Sequence, residues 1–137
     1  EVRVRPDLEI DLDGVRIGAD LKTISMWNVK QESLRARLHR EIIERDYHLS
    51  AAMYCETAAL DQFFWIFVNK DENYHWIAII EASAELLELG MLEYRKAMRN
   101  IATGFDTGEW PAPITADYTD ELNDFDLRRL EALRTQA

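Results

Sequence analysis

The chain has 137 residues, 47% hydrophobic and 31% charged, with five Tyr, five Phe and four Trp. This is enough apolar surface for one globular domain and too much for a disordered chain. The longest unbroken apolar run, residues 63–68, is far short of the ~20 residues that span a bilayer, and nothing at the start resembles a signal peptide, so a soluble cytoplasmic protein with no membrane partner is expected. The single cysteine, Cys55, excludes an internal disulfide and reads as a small buried hydrophobe, and no Cys/His spacing fits a zinc site.

A net charge of −10 argues against nucleic-acid binding, since phosphate contacts need Lys and Arg, but its distribution weakens the objection. Residues 1–46 carry nine basic and ten acidic side chains, whereas residues 47–137 carry seven and sixteen. From Gly104 onward there are eight acids and three arginines, so much of the excess is downstream of any site in the first half.

Residues 2, 4, 8, 10 and 12 are apolar while 3, 5, 7, 9 and 11 are charged, the alternation of a strand. Asp13-Gly14 is a favoured hairpin turn, after which Val15, Ile17, Ala19 and Leu21 alternate with Arg16, Gly18, Asp20 and Lys22. A turn centred there pairs residues whose numbers sum to 27. Leu12/Val15, Ile10/Ile17, Leu8/Ala19 and Pro6/Leu21 then close an apolar face, and Asp11/Arg16, Glu9/Gly18, Asp7/Asp20 and Arg5/Lys22 form a polar one. A strand pattern that opens at Glu1 without a lead-in raises the expectation of a fragment with a segment upstream.

From Asn28 to about Leu60 the period becomes helical, with Leu34, Leu38 and Ile42 among charged residues and a break near Asp46; the second piece, Leu49 to Leu60, is rich in Ala. Gln62 to Val68 reads as a buried strand whose aromatics are core rather than base-stacking groups. A turn within residues 69–73 leads to a return strand, Tyr74 to Ala82. Ser83 caps a long helix with Leu87, Met91, Tyr94, Met98 and Ile101 as its stripe and Gly104 as its stop. Residues 105–137 form a polar tail with a helical candidate from Asp120 to Leu133. The order β-β-α-α-β-β-α predicts an α/β or α+β domain with a mixed sheet.

The polar face of the hairpin carries the chemistry. Two opposed carboxylates, Asp7 and Asp20, must share a proton, find cationic neighbours or bind a cation such as Mg²⁺ or Mn²⁺. Such an ion polarises a phosphoryl oxygen and activates water, while Lys22 offsets charge growing on the phosphate. The competing reading is a solvated face neutralised by Arg5, Arg16 and Lys22. Glu9 shares the face, and Arg35, Arg37 and Arg40 read as a solvated helix face open to DNA contacts. His48 reads as a packed or surface residue near Tyr54.

Arg5-Pro6-Asp7 followed by Asp20-Leu21-Lys22-Thr23 resembles the core of the PD-(D/E)xK nuclease superfamily, in particular the RecE-like (exonuclease VIII) branch of phage-type recombination exonucleases. The segment from Tyr47 to Tyr54 resembles that family's Gln-x-x-x-Tyr helix, with Ser50 in place of Gln, and Gly108-Glu109-Trp110-Pro111 resembles its Glu-Trp-Pro. The resemblance spans residues 5–111. It implies an α/β restriction-endonuclease-like core, a mixed central β-sheet flanked by helices, lacking its N-terminal helix; residues 1–111 would be the nuclease core and 112–137 an acidic tail. It implies Asp7, Asp20 and the backbone carbonyl of Leu21 as ligands of Mg²⁺ (or Mn²⁺), Lys22 as the catalytic lysine, and Tyr54 and Ser50 on the DNA-binding side. The expected activity is hydrolysis of linear duplex DNA from 5′ ends during recombination, by a homo-oligomer working with a single-strand annealing protein in a bacterial host or from a phage. The alternatives are a RecB-like nuclease acting on single strands and a catalytically silent DNA-binding or assembly module.

Overall fold

The computed structural model describes all residues except Trp27, Asn28, Thr115 and Ala137, so the expected helical onset at Asn28 lies outside the described residues. Strands β1 (Leu8–Leu12) and β2 (Val15–Ile24) form the expected hairpin. Asp13 and Gly14 both take positive φ (52° and 87°), the turn geometry whose twist matches that of the strands. The register runs from Leu8↔Ala19 to Leu12↔Val15, as the sequence predicts.

Strand β2 outruns β1 and pairs in parallel with β3 (Gln62–Asn69), from Ile17↔Gln62 to Ile24↔Asn69. Strand β3 then pairs antiparallel with β4 (Ile77–Glu81), giving a mixed four-stranded sheet of order β1-β2-β3-β4. A parallel pair needs a long crossover. Here it is a 3₁₀ turn (Gln31–Ser33), α1 (Leu34–Glu44) and α2 (Tyr47–Ala58), with Asp46 in the left-handed region at the joint. The chain is therefore α/β, with a mixed sheet flanked by helices.

Phe63, Trp65 and Phe67 of β3 are fully buried and join Leu38 and Ile42 of α1, Ala51 of α2, Ile24, Met26 and Leu60 in the core. Small Ala51 and Ala52, both buried, let α2 lie close to its neighbours. Asn69, also fully buried, ties the end of β3 to its surroundings: its amide donates to the Tyr74 carbonyl (2.6 Å), its side-chain oxygen accepts from Met26 N–H (3.0 Å), and its backbone N–H donates to the Trp76 carbonyl (3.0 Å). That knot takes up residues 74–76, which is why β4 begins at Ile77 instead of Tyr74.

Four other expectations are corrected. The first strand starts at Leu8, not near Glu1, and the Arg5/Lys22 and Pro6/Leu21 pairs do not form. Pro6 has no N–H for a ladder, and the N–H of Asp7 goes to the Asp20 side chain. The apolar hairpin face is also mostly uncovered: Leu8, Ile10, Leu12, Val15 and Leu21 are exposed, Ile17 is half-buried and only Ala19 is buried, whereas on the other side Gly18, Asp20 and Ile24 are buried. The helices cover the face that the β3 aromatics present, and Gly18 leaves room there, since a Cβ would stand 2.4 Å from Leu60 Cδ1.

The third correction concerns α3 (Ala84–Thr107). It starts as expected, with Ser83 Oγ accepting from Leu86 N–H (3.1 Å), but runs through Gly104. Gly108, at φ 73°, ends it, its N–H donating to the Gly104 carbonyl (2.8 Å). Gly104 instead makes room for Trp110, whose ring a Cβ would meet at 2.5 Å. Along the stripe, Leu87, Met91 and Tyr94 are half-buried and Met98 and Ile101 exposed. Helix α4 (Asp124–Gln136) begins after Asn123, whose side chain accepts from Asp126 N–H (2.9 Å), later than the expected Asp120. The chain forms two compact units, Glu1–Thr103 and Gly104–Ala137. Among the described residues no helix is long and apolar enough to cross a membrane.

Gly90 marks a close approach of α3 to α2: a Cβ there would lie 2.2 Å from the carbonyl oxygen of His48. Gly→Ala in an open helix stabilises by about 1 kcal/mol. At this site the obstruction is backbone, and Gly90→Ala is expected to destabilise by about 1–3 kcal/mol, read as a lower urea midpoint.

Candidate active site

Asp20 lies in the middle of β2, between β1 and Trp65 of β3, and is 5% exposed. Asp7 stands just ahead of β1, where the hairpin register brings it to Asp20. The two are joined by reciprocal bonds: Asp7 N–H donates to Asp20 Oδ1 (3.0 Å), and Leu21 N–H donates to Asp7 Oδ2 (2.9 Å). Each carboxylate thus spends one oxygen on the other strand's backbone, leaving Asp7 Oδ1 and Asp20 Oδ2 for other partners. Leu21 turns its side chain to the exposed face while its backbone lies against Asp7.

Lys22 completes the group. Its Nζ is 4.0 Å from Asp20 Oδ2 and 4.4 Å from the centroid of the Tyr47 ring, a cation–π contact that steadies the ammonium. Tyr47 and Tyr54 are seven residues apart, about two turns of α2, and so share one face. The Tyr54 ring packs against Phe63 at 5.9 Å. Ser50 is half-buried one turn before Tyr54, its N–H bonded to the Asp46 carbonyl.

The electrostatics follow from burial. Desolvation pushes the Asp20 carboxyl above its ordinary pKa; the Asp7 N–H bond and Lys22 pull it back, and the Asp7 charge adds to the rise. The Tyr54 phenol is raised by burial first, then by the charges of Asp20 and Asp7. Its O–H is therefore a firm donor at neutral pH. Burial alone lifts the Cys55 thiol to about 11, which makes it inert; it packs against the core but is half-buried, not buried as expected.

A buried carboxylate, Asp20, beside an exposed one, Asp7, with Asp7 Oδ1 free of the backbone bonds and Asp20 Oδ2 facing only Lys22 Nζ, is a hard-oxygen donor set suited to Mg²⁺ or Mn²⁺. A divalent cation there would offset both the like-charge repulsion and the burial of Asp20. Glu9 takes no part in this group, being ion-paired with Arg16 (3.5 Å).

Beyond the end of β2 opens a polar cleft of about 390 Å³ whose walls include Thr23, Ser25, Arg37, Arg45, Tyr47 and Lys70. Tyr47 links it to Lys22, and three cations line it, one of them, Arg45, paired with Glu41. Of the arginines singled out in the sequence, Arg37 faces this cleft, whereas Arg35 lines a separate cavity between α1 and β4. Sequence reasoning missed Tyr47 as the support of Lys22; the seven-residue spacing of the two tyrosines was the available signal. Comparison with protein-family models finds no match, and comparison with curated proteins finds none either.

A raised carboxyl pKa means the folded protein binds the Asp20 proton more tightly than the unfolded chain does. The ionised form therefore costs stability above the folded pKa, and the cost disappears as pH falls below the ordinary aspartate value. Asp20→Asn keeps an acceptor for Asp7 N–H and removes the charge. It is expected to raise Tm at pH 7 by about 3 °C, with the gain vanishing near pH 3, as followed by thermal melts across pH.

Proposed function

We propose that the chain is a metal-dependent deoxyribonuclease of the RecE-like group, hydrolysing phosphodiester bonds of linear duplex DNA from 5′ ends. The observation that carries this reading is the Asp7–Asp20 clasp with Lys22 Nζ 4.0 Å from Asp20. Asp7 and Asp20 would hold Mg²⁺ or Mn²⁺, with the Leu21 carbonyl as the third ligand that the resemblance implies. When bound, the cation supplies Lewis-acid polarisation of the phosphate and a more acidic water.

The chain's own groups do the rest. Lys22, held by Asp20 and Tyr47, places a positive charge where the phosphoryl oxygens gain negative charge, and its N–H groups orient the attacking water. Tyr54, kept protonated by its surroundings, offers an O–H to a phosphate oxygen. Arg37 and Lys70, beside Arg45 in its pair with Glu41, line the cleft next to Lys22 and would supply phosphate contacts despite the net charge of −10. Residues 1–111 are the proposed nuclease core and 112–137 an accessory tail. Homo-oligomerisation and an annealing partner follow from the same resemblance.

The test is Mg²⁺-dependent degradation of linear duplex DNA. Asp20→Ala and Lys22→Ala are each expected to lower the rate by about 10²–10³-fold while the circular-dichroism spectrum is unchanged. Preference for single strands would move the assignment to a RecB-like nuclease. Mg²⁺ binding with neither substrate cut would replace it with a silent DNA-binding or assembly module.

A further inference from the structure

Away from Asp7 and Asp20, a second set of ligand-bearing side chains meets where α2 begins and α3 passes. His48 is 1% exposed, in the first turn of α2. Its Nδ1 faces the Ile42 carbonyl at 3.4 Å and its Nε2 faces Glu93 Oε2 at 2.8 Å. Asp46, two residues earlier, completes the group, and ligand atoms of the three lie within 4.8 Å of one another.

Both ring nitrogens face oxygen acceptors, but a neutral ring donates from only one. With Nδ1–H on the Ile42 carbonyl, the Nε2 lone pair faces Glu93, where either a second ring proton or a metal cation can stand between them. An imidazole whose far nitrogen is fixed by a backbone carbonyl is the usual arrangement of a metal-ligating histidine.

Spacing and placement agree with a metal. A tetrahedral ion with bonds of about 2.0–2.1 Å sets its ligand atoms about 3.3 Å apart, between the observed 2.8 Å and the 4.8 Å limit. Asp46 can close that gap: it is exposed, makes no side-chain capping bond, and already holds a carboxylate oxygen within 4.8 Å of the other two ligand atoms. Glu93 is brought in by Gly90, one turn earlier in α3, where the missing side chain lets the helix approach the His48 carbonyl.

We infer that Asp46, His48 and Glu93 form a binding site for a divalent transition-metal ion, with zinc the best match to one buried imidazole and two carboxylates, and that the ion clasps α2 to α3. The site is separate from the hard-oxygen pair at Asp7 and Asp20 and does not depend on the nuclease reading. It bears on that region all the same. Tyr47, lying between two of the ligands in the chain, is the ring beneath Lys22, so loading the clasp fixes the start of the helix that supports the lysine.

The test is calorimetric titration of ZnCl₂ into the untagged protein in chelator-treated buffer without Mg²⁺. One saturable zinc per chain is expected, with Glu93→Gln and Asp46→Asn each weakening it by about 10–100-fold. Asn tolerates the left-handed backbone at 46, and both variants replace groups that reach solvent, so they test the site without the risk of emptying a core position at His48. Asp20→Asn is expected to leave zinc affinity unchanged. Absence of saturable binding would overturn the site and leave His48–Glu93 as a hydrogen bond only. Binding lost in Asp20→Asn but retained in both other variants would overturn it equally, by assigning the zinc to Asp7 and Asp20.

Discussion

Parallel pairing of β2 with β3 governs everything else in the first unit. Two strands running the same way force the chain to return over one face of the sheet, and α1 and α2 are that return. They settle on the side where Phe63, Trp65 and Phe67 project. Asp20 and Lys22 pair with Trp65 and Phe67 and so lie on the same side, next to α2. An Asp-x-Lys on an isolated hairpin would be an ordinary solvated pair. Under a helix it becomes a desolvated carboxylate, an ammonium seated on an aromatic ring, and a phenol in the field of two acids. The function proposed for the chain depends on that change of environment more than on the identities of the residues.

Local order was legible in the sequence and the choice of covered face was not. Alternation together with Asp13-Gly14 identified the hairpin, its register and the meeting of Asp7 with Asp20, because all of these lie within one short stretch of chain. The break at Asp46, the β3 aromatics and the Ser83 cap were equally local. Alternation says which residues share a side of a strand. It does not say which side the rest of the protein will cover, and here the aromatics of a strand more than forty residues downstream decided it. Gly104 was misread for a related reason: a glycine late in a helical pattern signals a stop, unless it is there to admit a ring, as Trp110 shows. The bonds of Asn69 and the meeting of His48 with Glu93 join distant elements through side chains, and no short pattern announces them.

The two carboxylate groups illustrate different ways of holding charge near a core. Asp7 and Asp20 are anchored by backbone N–H groups, so their positions are set by the hairpin. Glu93 is anchored by an imidazole and by the closeness of a helix that a single glycine permits. Unpaired buried charge is costly, and both arrangements keep at least one oxygen bonded while leaving another accessible to a cation.

The sheet face opposite the helices carries Leu8, Ile10, Leu12 and Leu21, and at its other edge Ile77 and Ile79 are 66% and 69% exposed. Bare apolar surface of this kind drives molecules of one kind together, and the short edge strands offer further backbone groups for contact. The opposing force is the net charge of −10, which keeps copies apart by mutual repulsion. Dispersal of this protein in water is therefore an electrostatic balance set by ionic strength: repulsion reaches about 10 Å in 0.1 M salt and only about 3 Å in 1 M, where adhesion between the open faces is no longer held off.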